Sequence, residues 1–181
     1  KISDEIHFLS IDDRLSMKEA TRYVINKGYK RIIYFSPALN YRYKTNIYAV
    51  EQRYMGFEDA IRENPYEVET FIVKSKNFAE LFNKIDLNNK RTAVICTSDI
   101  YALEVMSYFK GRNIKIPEEV GIMGFDNIDV LKYVDPGLTT VLYPAEEISV
   151  QALEILLKLI KGENIEEVPV LKHKIIDRMS L

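Results

Sequence analysis

Apolar and polar positions follow two different periods along the chain, and the switches between them mark out the elements. Short runs rich in β-branched and aromatic residues recur over 6–11, 31–36, 68–74, 92–97, 120–125, 138–142 and 168–176. That is the pattern of strands. Between them the apolar residues fall three or four apart, the spacing of one helix face. Met17, Ala20 and Val24 form one such set, Tyr54, Phe57 and Ile61 a second, and Leu103, Met106 and Phe109 a third. The spacing predicts helices over 16–27, 51–63, 99–111 and 144–161, a weaker one over 78–85 and a short one over 128–134. Ser16 and Glu19 have the capping-box spacing, in which hydroxyl and carboxylate each satisfy a free backbone N–H. Gly28 is placed to end that helix, because glycine enters the left-handed region freely. Pro144 suits the first turn of the longest helix, and Glu146 and Glu147 its positive end.

Strands alternating with helices imply right-handed βαβ units around a mainly parallel sheet, an α/β fold with helices on both faces. The continuous apolar run Ala93-Val94-Ile95-Cys96 fits a strand covered on both sides. The longest stretch without a pattern, 37–50, has the length of a functional or mobile loop. At 181 residues the chain has room for one domain or two small ones. With 25 Lys and Arg against 27 Asp and Glu, the net charge is −2, which argues against nucleic-acid binding through bulk charge. The single Cys96 excludes a disulfide framework within the chain. No apolar run reaches the ~18 residues of a membrane span, and the start carries no signal-peptide pattern. The first residue is Lys1 rather than Met, so a piece of a longer protein is expected.

Ligands of open α/β sheets bind beyond the carboxyl ends of the strands. At those ends the sequence places the loop 40–44 with Tyr48 and Arg53, then Ser75, Lys76 and Asn77, then Thr97, Ser98 and Asp99, and finally Asp126 and Asn127. Rings that cover apolar faces, with charged groups that make bidentate hydrogen bonds, suit a small polyhydroxylated ligand. Each residue also has a structural reading. Asp99 is a good helix N-cap, the preferred role on sequence. Asp126-Asn127 could be a turn capping the next short helix, and Arg53 a solvated helix residue. His7 and His173 lie far apart without partners at metal spacing, so structural roles are expected and no metal. Cys96 has no nearby base. The run Gly121-Ile122-Met123-Gly124 is not a dinucleotide fingerprint, and neither a Walker A loop nor a G-x-S-x-G elbow occurs, so no enzyme and no cofactor is expected.

Taken in order, several motifs resemble the effector-binding region of LacI/GalR-type transcriptional regulators. They are Ser10-Ile11-Asp12-Asp13, Lys27-Gly28-Tyr29-Lys30-Arg31-Ile32, Arg53-Tyr54-Met55-Gly56-Phe57, Thr92-Ala93-Val94-Ile95, Ser98-Asp99 and Ala102-Leu103. The most specific run is Ile116-Pro117-Glu118-Glu119-Val120-Gly121-Ile122-Met123-Gly124-Phe125-Asp126-Asn127, followed by Pro136-Gly137-Leu138-Thr139-Thr140-Val141 and a closing Arg178-Met179-Ser180. Two positions depart from the family pattern: Tyr29 replaces its usual histidine and Glu104 its usual glycine.

The resemblance implies a periplasmic-binding-protein-like fold of two lobes with a ligand cleft between them. Residues 1–13 would end the first lobe, 14–138 would form the second, 139–167 would return to the first with the long helix, and 168–181 would close the second. A helix-turn-helix headpiece would lie outside this chain. Arg53 and Asp126 would contact effector, Ser98 would face the cleft, and Tyr48 sits in a loop without a family signature. The helix over 99–110 would carry Leu103 and Met106 to a subunit interface, with intrachain core as the alternative. The implied protein is a cytoplasmic, homodimeric bacterial regulator, clear of the membrane. A small-molecule effector, a sugar, would control lobe closure and operator binding, and DNA would be met only through the headpiece. The alternative is a solute-binding protein of a sugar transport system. The apolar face of the long helix, with Ile148, Ala152, Ile155, Leu156, Leu159 and Ile160, would find its partner strands outside this chain. The isolated fragment is therefore expected to dimerise, swap elements or pack this helix atypically.

Overall fold

The computed structural model describes residues 8–37, 47–73, 79–87, 89–165 and 167–181. In chain order the elements are α1 (Asp13–Asn26), β1 (Arg31–Phe35), α2 (Tyr48–Glu63), β2 (Glu69–Val73), α3 (Ala79–Phe82), β3 (Thr92–Cys96), α4 (Asp99–Lys110), β4 (Val120–Asp126), a 3-10 turn (Asp129–Tyr133), β5 (Thr139–Leu142), α5 (Ala145–Ile160) and β6 (Lys174–Ile176). The strands form one sheet in the order β2-β1-β3-β4-β5-β6. Every neighbouring pair is parallel except β5 and β6. The jump from β2 across β1 to β3 puts a change of winding direction beside the carboxyl ends of β1 and β3, where such sheets form their crevice.

The apolar strand runs become two cores. On one side Ile32 and Tyr34 of β1, Ala93 and Ile95 of β3, and Met123 and Phe125 of β4 pack with Met17, Ala20, Val24 and Phe57. On the other side Ile33, Phe35, Val94, Cys96 and Ile122 pack with Ala102, Val105, Met106 and Phe109 of α4. Successive residues therefore feed opposite cores, which is why every residue of β1 and β3 is buried. α1 and α2 touch at Gly56, where a β-carbon would fall 2.1 Å from the Arg14 carbonyl oxygen.

Several boundaries differ from the sequence expectation. α1 starts at Asp13, with Asp12 as its cap, because the Asp12 carboxylate accepts from the Leu15 N–H at 2.9 Å. Ser16 is thus inside the helix, donating its hydroxyl to the Asp12 carbonyl at 2.6 Å, and no capping box forms there. Glu19 instead meets His173 Nε2 at 2.9 Å. Gly28 ends the segment at φ +89°, as its position suggested. α2 begins at Tyr48, and α3 is a single turn. Within the described part of 6–11, only Ile11 pairs, in an isolated bridge to Leu171. β6 is shortened to three residues, which pair with Thr140, Val141 and Leu142 of β5. α5 starts at Ala145 with Pro144 as the residue before it, and it buries no side chain among the described residues. No helix among the described residues is long and apolar enough to cross a membrane.

Candidate functional site

A cleft of about 710 Å³ opens at the carboxyl edge of the sheet. Phe8, Ile47, Tyr48 and Tyr143 form its apolar wall, and Ser10, Asp13, Arg53 and Asp126 its polar floor. The floor is built from three elements. Arg53 lies one turn into α2, Asp13 opens α1, and Asp126 ends β4. The close α1–α2 contact brings the first two together, and β4 supplies the third.

Arg53 is buried, not solvated. Its Nε donates to Asp13 Oδ1 at 2.7 Å. Its Nη1 donates to the Thr97 carbonyl at 2.6 Å and to Asp126 Oδ1 at 3.3 Å. The guanidinium lies 3.6 Å from the centre of the Phe125 ring, a cation–π contact that fixes its plane. Its Nη2 has no hydrogen-bond partner among the described residues. Removing charges from water costs several kcal/mol per ion unless each is paired, so a guanidinium held this way marks a prepared site.

The two carboxylates outnumber the one cation. Burial pushes the Asp126 carboxyl up to about 6, although Arg53 beside it pulls the other way. The negative charges of Asp99 and Asp13 add to the rise. Burial also raises Asp13, again opposed by Arg53. Asp126 is presented by an unusual backbone: φ is 110° there and 55° at Asn127. For non-glycine residues such conformations cost about 1–3 kcal/mol each and persist only when the surroundings enforce them.

The other sequence candidates separate. Tyr48 lines the cleft. Ser98 is the residue before α4, half-buried, making no capping bond and not lining the cleft. Asp99 is the first residue of α4 rather than its cap. Its fully buried carboxylate accepts from Thr140 Oγ1 at 2.6 Å and from the Ile128 N–H at 2.9 Å. It occupies the space over Gly124, where a β-carbon would sit 2.1 Å from Oδ1. Asp99 therefore joins α4, β5 and the turn after β4. Met106 is only 2% exposed and belongs to this chain's own core, with Leu103 partly buried against the same cluster. The interface expectation is corrected for Met106: that face of α4 is consumed within the chain, because it is the face turned to the sheet. Among the described residues no group of His, Cys, Asp and Glu has metal-site geometry. Residues 40–44 and 75–77, along with His7, lie outside the described residues.

Sequence reasoning missed Asp13, Phe8 and Tyr143 as cleft residues. For Asp13 a signal existed: two adjacent acids stand at the start of α1 and only one can cap it, so the second was free to meet a cation. Phe8 and Tyr143 carried none, since they reach the cleft from distant parts of the chain.

With this geometry, the chain matches the model of the periplasmic binding protein-like domain over residues 21–181, and it belongs to that family. Its relatives are transcriptional regulators rather than enzymes. It is 32% identical over 173 residues to the HTH-type transcriptional repressor CytR of Escherichia coli (strain K12), covering 89% of this chain and 47% of that protein. The chain spans about half the length of the curated relatives it matches. Among solved structures, it resembles a periplasmic binding protein/LacI transcriptional regulator from Alkaliphilus metalliredigens QYMF complexed with D-xylulofuranose, at 28% identity and TM-score 0.78, over 98% of this chain and 66% of that one. A LacI family transcriptional regulator from Enterococcus faecium with bound ribose shares the fold, at TM-score 0.80 and 23% identity over 99% of this chain and 67% of that one.

Proposed function

We propose that the chain is the effector-sensing part of a LacI-type, DNA-binding transcriptional regulator, and that its effector is a sugar. The observation that carries this reading is Arg53, immobilised by Asp13, Thr97 and Phe125 on the floor of an apolar-walled cleft. A planar guanidinium held in place can bridge two adjacent hydroxyls. The Asp126 carboxylate accepts from hydroxyls, and the aromatic wall covers the apolar face of a ring. On this reading residues 14–138 form one lobe, and 139–167 return to a second lobe completed by other parts of a cytoplasmic, homodimeric protein. Ligand bridging the lobes favours the closed arrangement, and closure changes operator affinity through a DNA-reading headpiece. The ligand shifts that equilibrium only as far as it prefers the closed state. The repressors among the relatives support this regulator over a transport protein.

The test is calorimetry on the full-length protein with D-ribose and D-xylulose as first probes, the pentoses of the two structural neighbours. Arg53→Lys keeps a cation beside both carboxylates but loses the fork. It should weaken sugar binding about 100-fold, the loss of two charge-assisted hydrogen bonds, while operator binding without sugar stays unchanged. Unaltered sugar affinity in that variant would remove Arg53 from the site.

A further inference from the structure

We propose that Arg178 is a positioning residue for the cleft: from behind the sheet edge it holds the left-handed Asp126-Asn127 turn and so keeps the Asp126 carboxylate on Arg53. This rests on the reading of the cleft as an effector site. Arg178 does not line the cleft. Its two terminal nitrogens span two structures. Nη2 donates to the Asn127 side-chain oxygen at 2.8 Å, and Nη1 donates to the Leu138 carbonyl at 2.7 Å. The planar fork therefore ties the turn to the strand beside it, which a point charge on a flexible stem cannot do.

The anchor behind the fork is rigid. The Arg178 backbone N–H donates to Thr139 Oγ1 at 2.9 Å, and the Met179 N–H donates to the Gly137 carbonyl at 3.0 Å. Ser180 is fully buried: its hydroxyl donates to the Ile122 carbonyl at 2.6 Å and accepts from the Thr139 N–H at 2.8 Å. Ile122 N–H donates in turn to the Ser180 carbonyl at 2.7 Å. Gly137 leaves room for the arginine stem, since a β-carbon there would lie 3.3 Å from Arg178 Cδ.

The turn needs holding. Asp126 and Asn127 both have positive φ without being glycine, so an unrestrained backbone relaxes away from this shape. Its neighbours are pinned by other means: the Tyr143 N–H donates to the Asp126 carbonyl at 3.2 Å, and the Ile128 N–H to Asp99 at 2.9 Å. The Asn127 backbone N–H also meets the Asp99 carboxylate, and Arg178 is what holds the Asn127 side chain between them. Without it, the Asp126 carboxylate swings off Arg53 towards solvent.

The test follows the Asp126 side chain by selective carboxyl carbon labelling and a pH titration of the full-length protein without ligand. Two variants are used. Arg178→Ala removes the fork. Asn127→Gly removes the gripped amide, while glycine tolerates the φ of 55°, so folding is retained. In both, the Asp126 midpoint should fall by about one unit or more from its raised value, as the carboxylate leaves its buried place. A purely structural clasp would lower stability and leave that midpoint where it is. An unchanged midpoint in folded Asn127→Gly overturns the proposal, whether or not Arg178→Ala folds. D-ribose affinity is measured alongside and should fall about tenfold in both variants. If the unaltered protein binds neither D-ribose nor D-xylulose, the sugar reading fails, and the carboxyl titration still decides the role of Arg178.

Discussion

Two aspartates at neighbouring strand ends have opposite surroundings. Asp99 and Asp126 are both pushed up by burial. Asp99 is closed in, its oxygens taken by Thr140 and the Ile128 N–H and its flank pressed on Gly124. Asp126 faces a cavity, and its described hydrogen bond is a long one to a guanidinium shared with Asp13. The first carboxylate is spent on holding elements together. The second keeps acceptor capacity in reserve. Burial and charge are therefore poor guides to function on their own, and what separates the two residues is whether their lone pairs are already used.

The comparison can be broken most directly at Asp99. Asp99→Ala leaves a hydroxyl and an amide N–H without an acceptor in the core. Each orphaned group costs about 1–3 kcal/mol, so chemical denaturation should show a loss of about 3 kcal/mol. A loss below about 1 kcal/mol would mean that Asp99 holds nothing. The next effect is a pH dependence at Asp126. Its folded carboxyl, near 6, lies above the ordinary value of 3.8. Between those values the folded state keeps a proton that the unfolded state has released, so stability falls as pH rises from about 4 to about 6. Denaturation in that window should show, relative to the unaltered protein, a smaller fall of stability with rising pH in Asp126→Asn. Asp13 and Asp99, raised in the same sense, still contribute to the fall, while Glu63 and Glu69, lowered by their cations, oppose it in both proteins. An identical slope would show that the Asp126 proton is not linked to folding. The smallest effect belongs to Ser98, between the two. It neither caps α4 nor lines the cleft, so Ser98→Ala should change stability by less than about 0.5 kcal/mol. A larger change measured by thermal denaturation would assign it a contact in the folded chain.

Much of this organisation is written in local patterns. The two-sided burial of β1 and β3 follows from unbroken apolar runs. The strand-end rule put Arg53 and Asp126 on a longer list of candidates, and the resemblance to LacI/GalR-type regulators is what singled them out. Three kinds of information were not local. Asp12 and Asp13 are identical side chains, and only the approach of α2 decides that one caps while the other meets Arg53. Phe8 and Tyr143 enter the cleft from opposite parts of the chain. Met106 lies on an apolar helix face whose pattern is the same whether the sheet or a second copy covers it, and the sheet does. The start of α1 illustrates competition within one turn: Ser16 has capping chemistry, yet Asp12 lies three residues ahead of a free N–H and wins it.

The two ends of the sheet bear on how the protein avoids sticking to itself. An open row of strand N–H and carbonyl groups is a template on which other chains can pair. At one end β2 carries Glu69, which accepts from Arg31 at 3.0 Å and pairs with Lys90 at 2.9 Å, so charge sits on the strand that would otherwise be extended. At the other end β6 runs antiparallel to the rest and lasts three residues, with Lys174 exposed at its start. A strand that short and reversed offers an incoming chain little length to align with. The same brevity that made β6 hard to read makes it a deterrent to fibril-like growth.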